Sequence, residues 1–193
     1  MPTITFVCTA NQCRSPLAEH LLRAALPPAS RWTVRSAGTH ALPGRPMDPS
    51  AEQVLGERGI RFDGWTGTML TRPVVEESDL ILTASHAHLE RVLQLRPGAV
   101  HRAFVLAQFA AFLNAAVDEG ADDEITDLAD IRRLVLIGRR GVEPGEPTAW
   151  DLADPVGGPV AGFRRCAATL DVLIAPLTRL LGGAQAKPIS ATS

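Results

Sequence analysis

The chain has no tyrosine, one lysine and three cysteines among its 193 residues. The first absence excludes any regulatory tyrosine phosphosite. The scarcity of lysine (Lys187 against 18 arginines) carries no functional reading. Three cysteines are too few for a disulfide scaffold and suit a reducing cytoplasm, the expected location. No apolar run approaches the length of a membrane span and no leader pattern precedes the first strand, so no membrane attachment is expected. An excess of positive charge is missing too. The formal charge is −2 and the pI about 6.2, which leaves no basic footprint for nucleic acid. The five histidines do not form a pair at the helical spacing of a zinc site: His20 lies on one predicted helix, His86 and His88 are two apart on another, and His40 and His101 stand alone. No metal and no cofactor are expected. The length and a hydrophobic fraction of 46% suit one modest globular domain.

What the chain does hold is concentrated in Val7-Cys8-Thr9-Ala10-Asn11-Gln12-Cys13-Arg14-Ser15-Pro16. Thr3 to Val7, β-branched and aromatic, reads as a buried strand. Between Pro16 and Leu26, Leu17, Leu21, Leu22, Ala25 and Leu26 share one helical face. Ser15 suits the N-cap and Pro16 the first helical position. A strand, a tight loop and a helix N-terminus aim several backbone N–H groups and the positive end of a helix dipole at one point, a cradle for a tetrahedral oxyanion. Cys8 leaves the strand into this cradle, whose positive field favours the thiolate. Arg14 offers a planar fork for two phosphoryl oxygens, while loop amides hold the others. Ser15 can donate a hydroxyl hydrogen bond to the thiolate. Asn11 can tie the loop's own backbone and adopt a left-handed conformation. Cys-x5-Arg alone is a weak signal in a chain with 18 arginines; the strand before it and the Ser-Pro after it give it weight. The plain alternative is a buried cysteine at a strand end and an arginine snorkelling at a helix start.

These residues resemble the signature loop of the low-molecular-weight protein tyrosine phosphatases, Val-Cys-x-x-Asn-x-Cys-Arg-Ser-Pro followed by Leu17-Ala18-Glu19. Ser36-Ala37-Gly38-Thr39, with Gly44 and Pro46 behind it, is a second match, and Asp154-Pro155 a third, where the family keeps its acid. The resemblance implies an α/β fold of three layers, a four-stranded parallel sheet with helices on both faces in flavodoxin-like topology. It also implies a two-step phosphoryl transfer. Cys8 attacks phosphorus, while Arg14 and the loop Thr9, Ala10, Asn11, Gln12, Cys13 and Ser15 hold the equatorial oxygens. Asp154 protonates the leaving oxygen and then activates the water that hydrolyses the cysteinyl phosphate. The expected partner is a phosphorylated protein, phosphotyrosine foremost, or a small phosphomonoester; a monomer is expected. The resemblance to members with this cysteine pair implies that Cys13 is a redox partner of Cys8, the alternative being a small buried residue beneath the loop.

Strands separated by helices imply a parallel sheet covered on both faces, with ligand at the carboxyl ends where Cys8 emerges. Trp32 to Ser36 is the second predicted strand. Asp48-Pro49 opens a helix running to Arg58, which Gly59 stops. Asp79 to Thr83 is a third strand, Ser85 to Leu95 a helix, and His101 to Leu106 a fourth strand. Pro159 to Leu181 is a last helix, which Pro176 kinks. Residues 107–147 depart from the family pattern. There, Gln108 to Val117 reads as an alanine-rich helix, followed by an acidic solvated turn and a helix from Ile125 to Ile137. Ile131, Leu134 and Val135 can close the pair as a hairpin. This inserted segment is a cap or lid near the site, or else a surface elaboration. One domain is expected over 1–182, with 183–193 a disordered tail. Cys166 reads as core.

Two Asp-Pro pairs compete for the role of acid. Asp48-Pro49 has the cap and first-turn proline of a helix start. Asp154-Pro155 lies in a turn-rich loop, where proline fixes the backbone and holds a carboxyl at the site mouth; Asp151 beside it reads as a turn or cap residue. Val156-Gly157-Gly158 stands where the family usually has aromatics after its Asp-Pro, and His40, Ala41 and Leu42 where eukaryotic members place an aromatic wall. Trp150 or the insertion offers one replacement wall. Gln12 occupies a position that is apolar in family members, or threonine in those acting on phosphoarginine, which keeps a protein-arginine phosphatase open. Ala10 replaces a glycine and so requires that no positive φ is needed there. Two rivals use the same loop: a thiol-dependent arsenate reductase, for which only Cys166 is left as a further thiol, and a non-catalytic oxyanion-binding module.

Overall fold

In a computed structural model, which describes residues 1–121, 127–143 and 145–182, β1 (Thr3–Cys8) lies between β2 (Thr33–Gly38) and β3 (Leu80–Thr83), with β4 (Ala103–Val105) beyond β3. All pairings are parallel; Thr3 faces Thr33 and Cys8 faces Gly38 across one edge of β1, and Ile4 faces Leu80 across the other. The strand order 2-1-3-4 reverses direction at β1, and in such sheets ligand binds outside the carboxyl ends of the strands at that switch point. Cys8 ends β1.

Alternation along β1 divides the core. Ile4 and Phe6 face the larger cluster, built with α1 (Arg14–Ala25), α2 (Pro49–Glu57) and α7 (Val160–Leu180), whereas Val7 faces Ile81, Ala103 and Val92 under α3 (Arg72–Glu76) and α4 (His86–Leu95). The sheet is therefore buried on both faces, as its near-continuous apolar strands require. Asp48 accepts the N–H of Ser50 at 2.8 Å with Pro49 in the first turn, so it caps α2.

The differences from the sequence reading have local causes. β2 runs on to Gly38 because its end pairs with Cys8 and bridges to Met69. β4 starts later, because Pro97–His101 winds into a 3-10 turn. The five-residue α3, opened by Arg72-Pro73, is too short to leave a periodic pattern.

α5 (Leu106–Asp118) and α6 (Leu128–Gly138) pack as the hairpin expected of residues 107–147, with Ile131, Leu134 and Val135 buried alongside Phe109, Phe112 and Leu113. A Cβ on Gly138 would lie 1.8 Å from the Phe112 carbonyl oxygen, so only glycine permits this approach of the two helices. Asp127 caps α6 through the N–H groups of Ala129 and Asp130. Most of the acidic turn falls on 122–126, outside the described residues, as does the 183–193 tail. Among the described residues no helix is long and apolar enough to cross a membrane.

Candidate active site

The loop between β1 and α1 is held from below. The N–H groups of Thr39 and His40 bond the carbonyls of Cys8 and Thr9 at 2.9 and 2.8 Å, and the N–H of Asp48 bonds that of Gln12 at 2.8 Å. A Cβ on Gly38 would come within 2.6 Å of the Thr9 carbonyl oxygen and 2.7 Å of the Asn11 nitrogen; the glycine of the Ser-Ala-Gly-Thr match is there so that β2 can touch the loop. The helix starts earlier than expected. Cys13 is its N-cap, Arg14 its first residue, and Leu17 N–H closes the first turn on the Cys13 carbonyl at 2.9 Å. Ser15 is thus inside the helix and caps nothing, because its hydroxyl is engaged elsewhere. Pro16 still falls in the first turn, where no backbone N–H has an intrahelical partner. No side chain caps α1, so its first N–H groups stay available to an anion.

Ser15 Oγ lies 3.0 Å from Cys8 Sγ. The direction of that bond follows from a buried chain of polar groups. Ser36 donates to Glu19 Oε2 at 2.6 Å, so its oxygen accepts from Asn11 Nδ2 at 2.8 Å. The second Asn11 proton goes to Ser15 Oγ at 2.9 Å, which leaves the Ser15 proton for the sulfur; its other acceptor, the Ala37 carbonyl, is at 3.4 Å. Asn11 Oδ1 accepts the Thr68 N–H at 2.8 Å, so Asn11 braces the loop against the segment before α3 rather than bonding the loop's own backbone. Its φ of 54° is the one positive value outside glycine among the described residues, so Ala10 needs none. Buried Glu19 is also bonded by Trp65 Nε1 at 3.1 Å and Arg23 Nη1 at 2.9 Å.

Arg14 is almost fully buried and points at the loop that carries Asp151 and Asp154. Its Nη2 is ion-paired with Asp154 Oδ2, and its Nη1 donates to the Leu152 carbonyl at 3.2 Å. That loop is anchored next to it: Leu152 N–H bonds the Ala84 carbonyl and His86 N–H bonds Asp151 Oδ1, each at 2.8 Å. Asp151 is therefore a helix cap, and Asp154, with its half-exposed carboxyl, is the group presented to the cradle.

Nothing in the sequence marks the part played by His88. Its Nε2 lies 2.9 Å from Thr9 Oγ1 and its Nδ1 lies 2.6 Å from Ser85 Oγ. Burial first, and then the Arg14 charge, lower its pKa to about 4, so the ring is neutral near pH 7. Thr9 Oγ1 also accepts from Arg14 Nη2 at 3.4 Å, so His88, Thr9 and Arg14 are joined through one hydroxyl. No spacing rule links a histidine to a threonine 79 positions upstream; nor is the pairing of Glu19 with Ser36 and Trp65 readable before the fold brings them together.

Cys13 lies buried under the loop beside Cys166 of α7. The hydrogen bond between these thiols, then burial, pushes the Cys13 thiol far up, and the same bond lowers Cys166. Gln12 is half-buried, whereas Leu42 and Val156, in the places considered for aromatic walls, are exposed.

Residues 3–136 match the family model described as low molecular weight phosphotyrosine protein phosphatase. A probable low molecular weight protein-tyrosine-phosphatase, EpsP of Ralstonia solanacearum, is 40% identical over 145 residues, which cover 75% of this chain and 94% of the relative. The Escherichia coli (strain K12) low molecular weight protein-tyrosine-phosphatase Etp is 36% identical over 107 residues, 55% of this chain and 70% of Etp. Among solved structures, the YwlE arginine phosphatase from Geobacillus stearothermophilus superposes with a TM-score of 0.68 at 27% identity, covering 92% of this chain and 91% of YwlE. The family match stops before Asp154, whose place at the site comes from its contact with Arg14. A cysteine at the end of a central parallel strand, a loop closed by arginine and a match of this length assign the chain to the low molecular weight phosphotyrosine protein phosphatase family.

Proposed function

We propose that this protein hydrolyses phosphomonoesters, protein phosphotyrosine foremost, through a cysteinyl-phosphate intermediate. The observation that carries this reading is the convergence of Cys8 Sγ, the Ser15 hydroxyl at 3.0 Å and the Arg14–Asp154 pair on one uncapped helix N-terminus. The Ser15 proton, freed for the sulfur by Asn11, stabilises a thiolate nucleophile. An incoming phosphoryl group takes the Arg14 fork and the amides of Thr9 to Ser15, and so displaces Asp154 from the guanidinium. Asp154 then gives its proton to the leaving oxygen as Cys8 attacks phosphorus in line, and takes one from the water that cleaves the S–P bond. A phosphorylated protein or small phosphomonoester as partner, a monomeric state and a cytoplasmic location belong to the same reading. So does one domain over 1–182 in which 107–147 is an insertion sharing the main core.

A second substrate, phosphoarginine, is favoured by the polar Gln12 in the loop, the exposed Leu42 and Val156, and the likeness to YwlE, an arginine phosphatase. An aromatic wall is worth about 0.5–1.5 kcal/mol beyond the area it buries, up to roughly tenfold in binding. With these walls thin, free phosphotyrosine, small aryl phosphates and phosphoarginine should be turned over with kcat/KM values within about tenfold of one another. A panel of these compounds on purified protein checks this. A hundredfold preference for phosphotyrosine would show a phenyl-specific wall and remove the second substrate.

Cys13 is proposed as the redox partner of Cys8. Peroxide oxidises the Cys8 thiolate to a sulfenic acid; the Cys13 sulfur then attacks it, expelling the oxygen as water and leaving a disulfide that added thiol reduces. Cys13, held protonated by Cys166 and by burial, is not itself the first target. Peroxide inactivation should therefore be reversed by dithiothreitol and yield a Cys8–Cys13 bond by mass spectrometry, with recovery slower or less complete in Cys13→Ser. A Cys8–Cys166 or Cys13–Cys166 bond in its place, or unchanged recovery in Cys13→Ser, would return Cys13 to a packing role.

A further inference from the structure

Beside the phosphate loop the surface falls into a cleft of about 770 Å³ to which the reaction assigns nothing beyond Thr9 at its inner end. One wall is a face of α4, where Ala87, His88, Arg91 and Leu95 recur at helical spacing. The chain from Met69 to Arg72 forms the other wall, and Thr39 and His40 close the end nearest Cys8. From Ala87 to Leu95 the helix rises about 12 Å, room for roughly three to four residues of extended chain. Met69, Leu70 and Leu95 supply apolar surface for such a chain.

The charges of the cleft are one-sided, since none of its lining residues is a carboxylate. Arg72 is held by Glu76 at 2.9 Å, and Glu90, the one acid on α4, has its Oε1 3.6 Å from His86 Nε2. Exposed Arg91 bonds only the neutral amide oxygen of Gln94, at 3.3 Å, among the described residues. Its guanidinium is a charge on the wall with no carboxylate bonded to it among the described residues, one helical turn beyond His88, which touches Thr9.

We propose that this cleft holds the polypeptide on one side of the phosphorylated residue and that Arg91 selects an acidic side chain there. The inference rests on the phosphatase reading and adds to it a substrate class, acidic phosphopeptides. An exposed ion pair of this kind is worth up to about 1 kcal/mol and is screened by salt. Short phosphotyrosine peptides carrying Glu, Ala or Lys within four residues of the phosphotyrosine, on either side, test it. At low salt the Glu peptides on one side should exceed the Lys peptides by about three- to tenfold in kcat/KM, with the gap closing as salt is added. Arg91→Ala should level the series and Arg91→Glu should reverse it, which a merely structural residue would not do. Nitrophenyl phosphate, which carries no peptide, reports separately on the chemistry. Its hydrolysis with no charge preference among the peptides, or with a preference that survives Arg91→Ala, overturns the subsite and leaves the phosphatase; absence of Cys8-dependent hydrolysis of any of these compounds overturns both.

Discussion

Cys8→Ser abolishes nitrophenyl phosphate hydrolysis while the protein still binds inorganic phosphate, and Arg14→Ala loses both: this is the expected outcome with the largest effect. A serine hydroxyl at position 8 has the size of the thiol but does not ionise near neutral pH, so the bond from Ser15 at 3.0 Å no longer prepares a nucleophile. Loss of a covalent nucleophile costs on the order of 10⁴–10⁶-fold in turnover. The cradle is untouched, because it consists of backbone N–H groups at an uncapped helix start, held by Gly38, Asn11 and the Thr39, His40 and Asp48 amides. Arg14→Ala is different. It removes two charge-assisted bonds to the ligand, each worth about 1.5–3 kcal/mol, so phosphate affinity should fall by roughly 10²–10⁴-fold along with turnover. Arg14→Lys should rescue neither fully, since a point charge cannot reproduce the planar fork. Steady-state kinetics and calorimetric titration with phosphate read the two effects apart. Appreciable turnover by Cys8→Ser would rule out the covalent route.

The part of the site legible in the sequence is the part made by neighbours in the chain. Cys8, Asn11, Arg14 and Ser15 lie within eight residues of one another, and a strand before them and a helix after them fix their geometry. The residue pattern puts the N-cap at Ser15 and the structure puts it at Cys13, for a physical reason. Serine is a strong N-cap by propensity, yet here its oxygen is claimed by Asn11 and its proton by Cys8, so Cys13 ends the loop instead. Sequence also separates Asp48 from Asp154 through the cap pattern. It does not show that Asp154 reaches Arg14, a contact spanning 140 positions, which depends on Leu152 joining the end of β3 at Ala84 and on Asp151 capping α4.

The deeper layer was not legible because it is tertiary throughout. The chain from Glu19 through Ser36 and Asn11 to Ser15 joins α1, β2 and the loop, and Trp65 completes it from the segment before α3. His88 reaches Thr9 across 79 positions. Each residue has an ordinary reading by itself: a surface glutamate, a strand serine, a helix histidine. Burial without a partner would be costly for all of them, and it is their mutual satisfaction that holds the loop between β1 and α1 in this geometry.

Asp154→Asn should slow substrates with poor leaving groups by about 10²–10⁴-fold, the usual worth of a general acid, and slow nitrophenyl phosphate less. An alkyl or unactivated phenyl oxygen must receive a proton as the P–O bond breaks, and an amide cannot supply it. Nitrophenolate leaves almost unaided, so its first step is nearly indifferent to the change, although hydrolysis of the cysteinyl phosphate still misses its base. The Arg14–Asp154 contact adds a second readout. In the parent protein phosphate must displace a carboxylate from the guanidinium; the asparagine amide is a weaker competitor. Asp154→Asn should therefore bind inorganic phosphate at least as tightly as the parent, so that turnover falls while affinity holds or rises. Asp48→Asn is the matched control, because asparagine accepts the Ser50 N–H as well as aspartate does and the cap of α2 survives. Equal losses on good and poor leaving groups, weaker phosphate binding by Asp154→Asn, or a larger loss from Asp48→Asn would each move the acid away from Asp154.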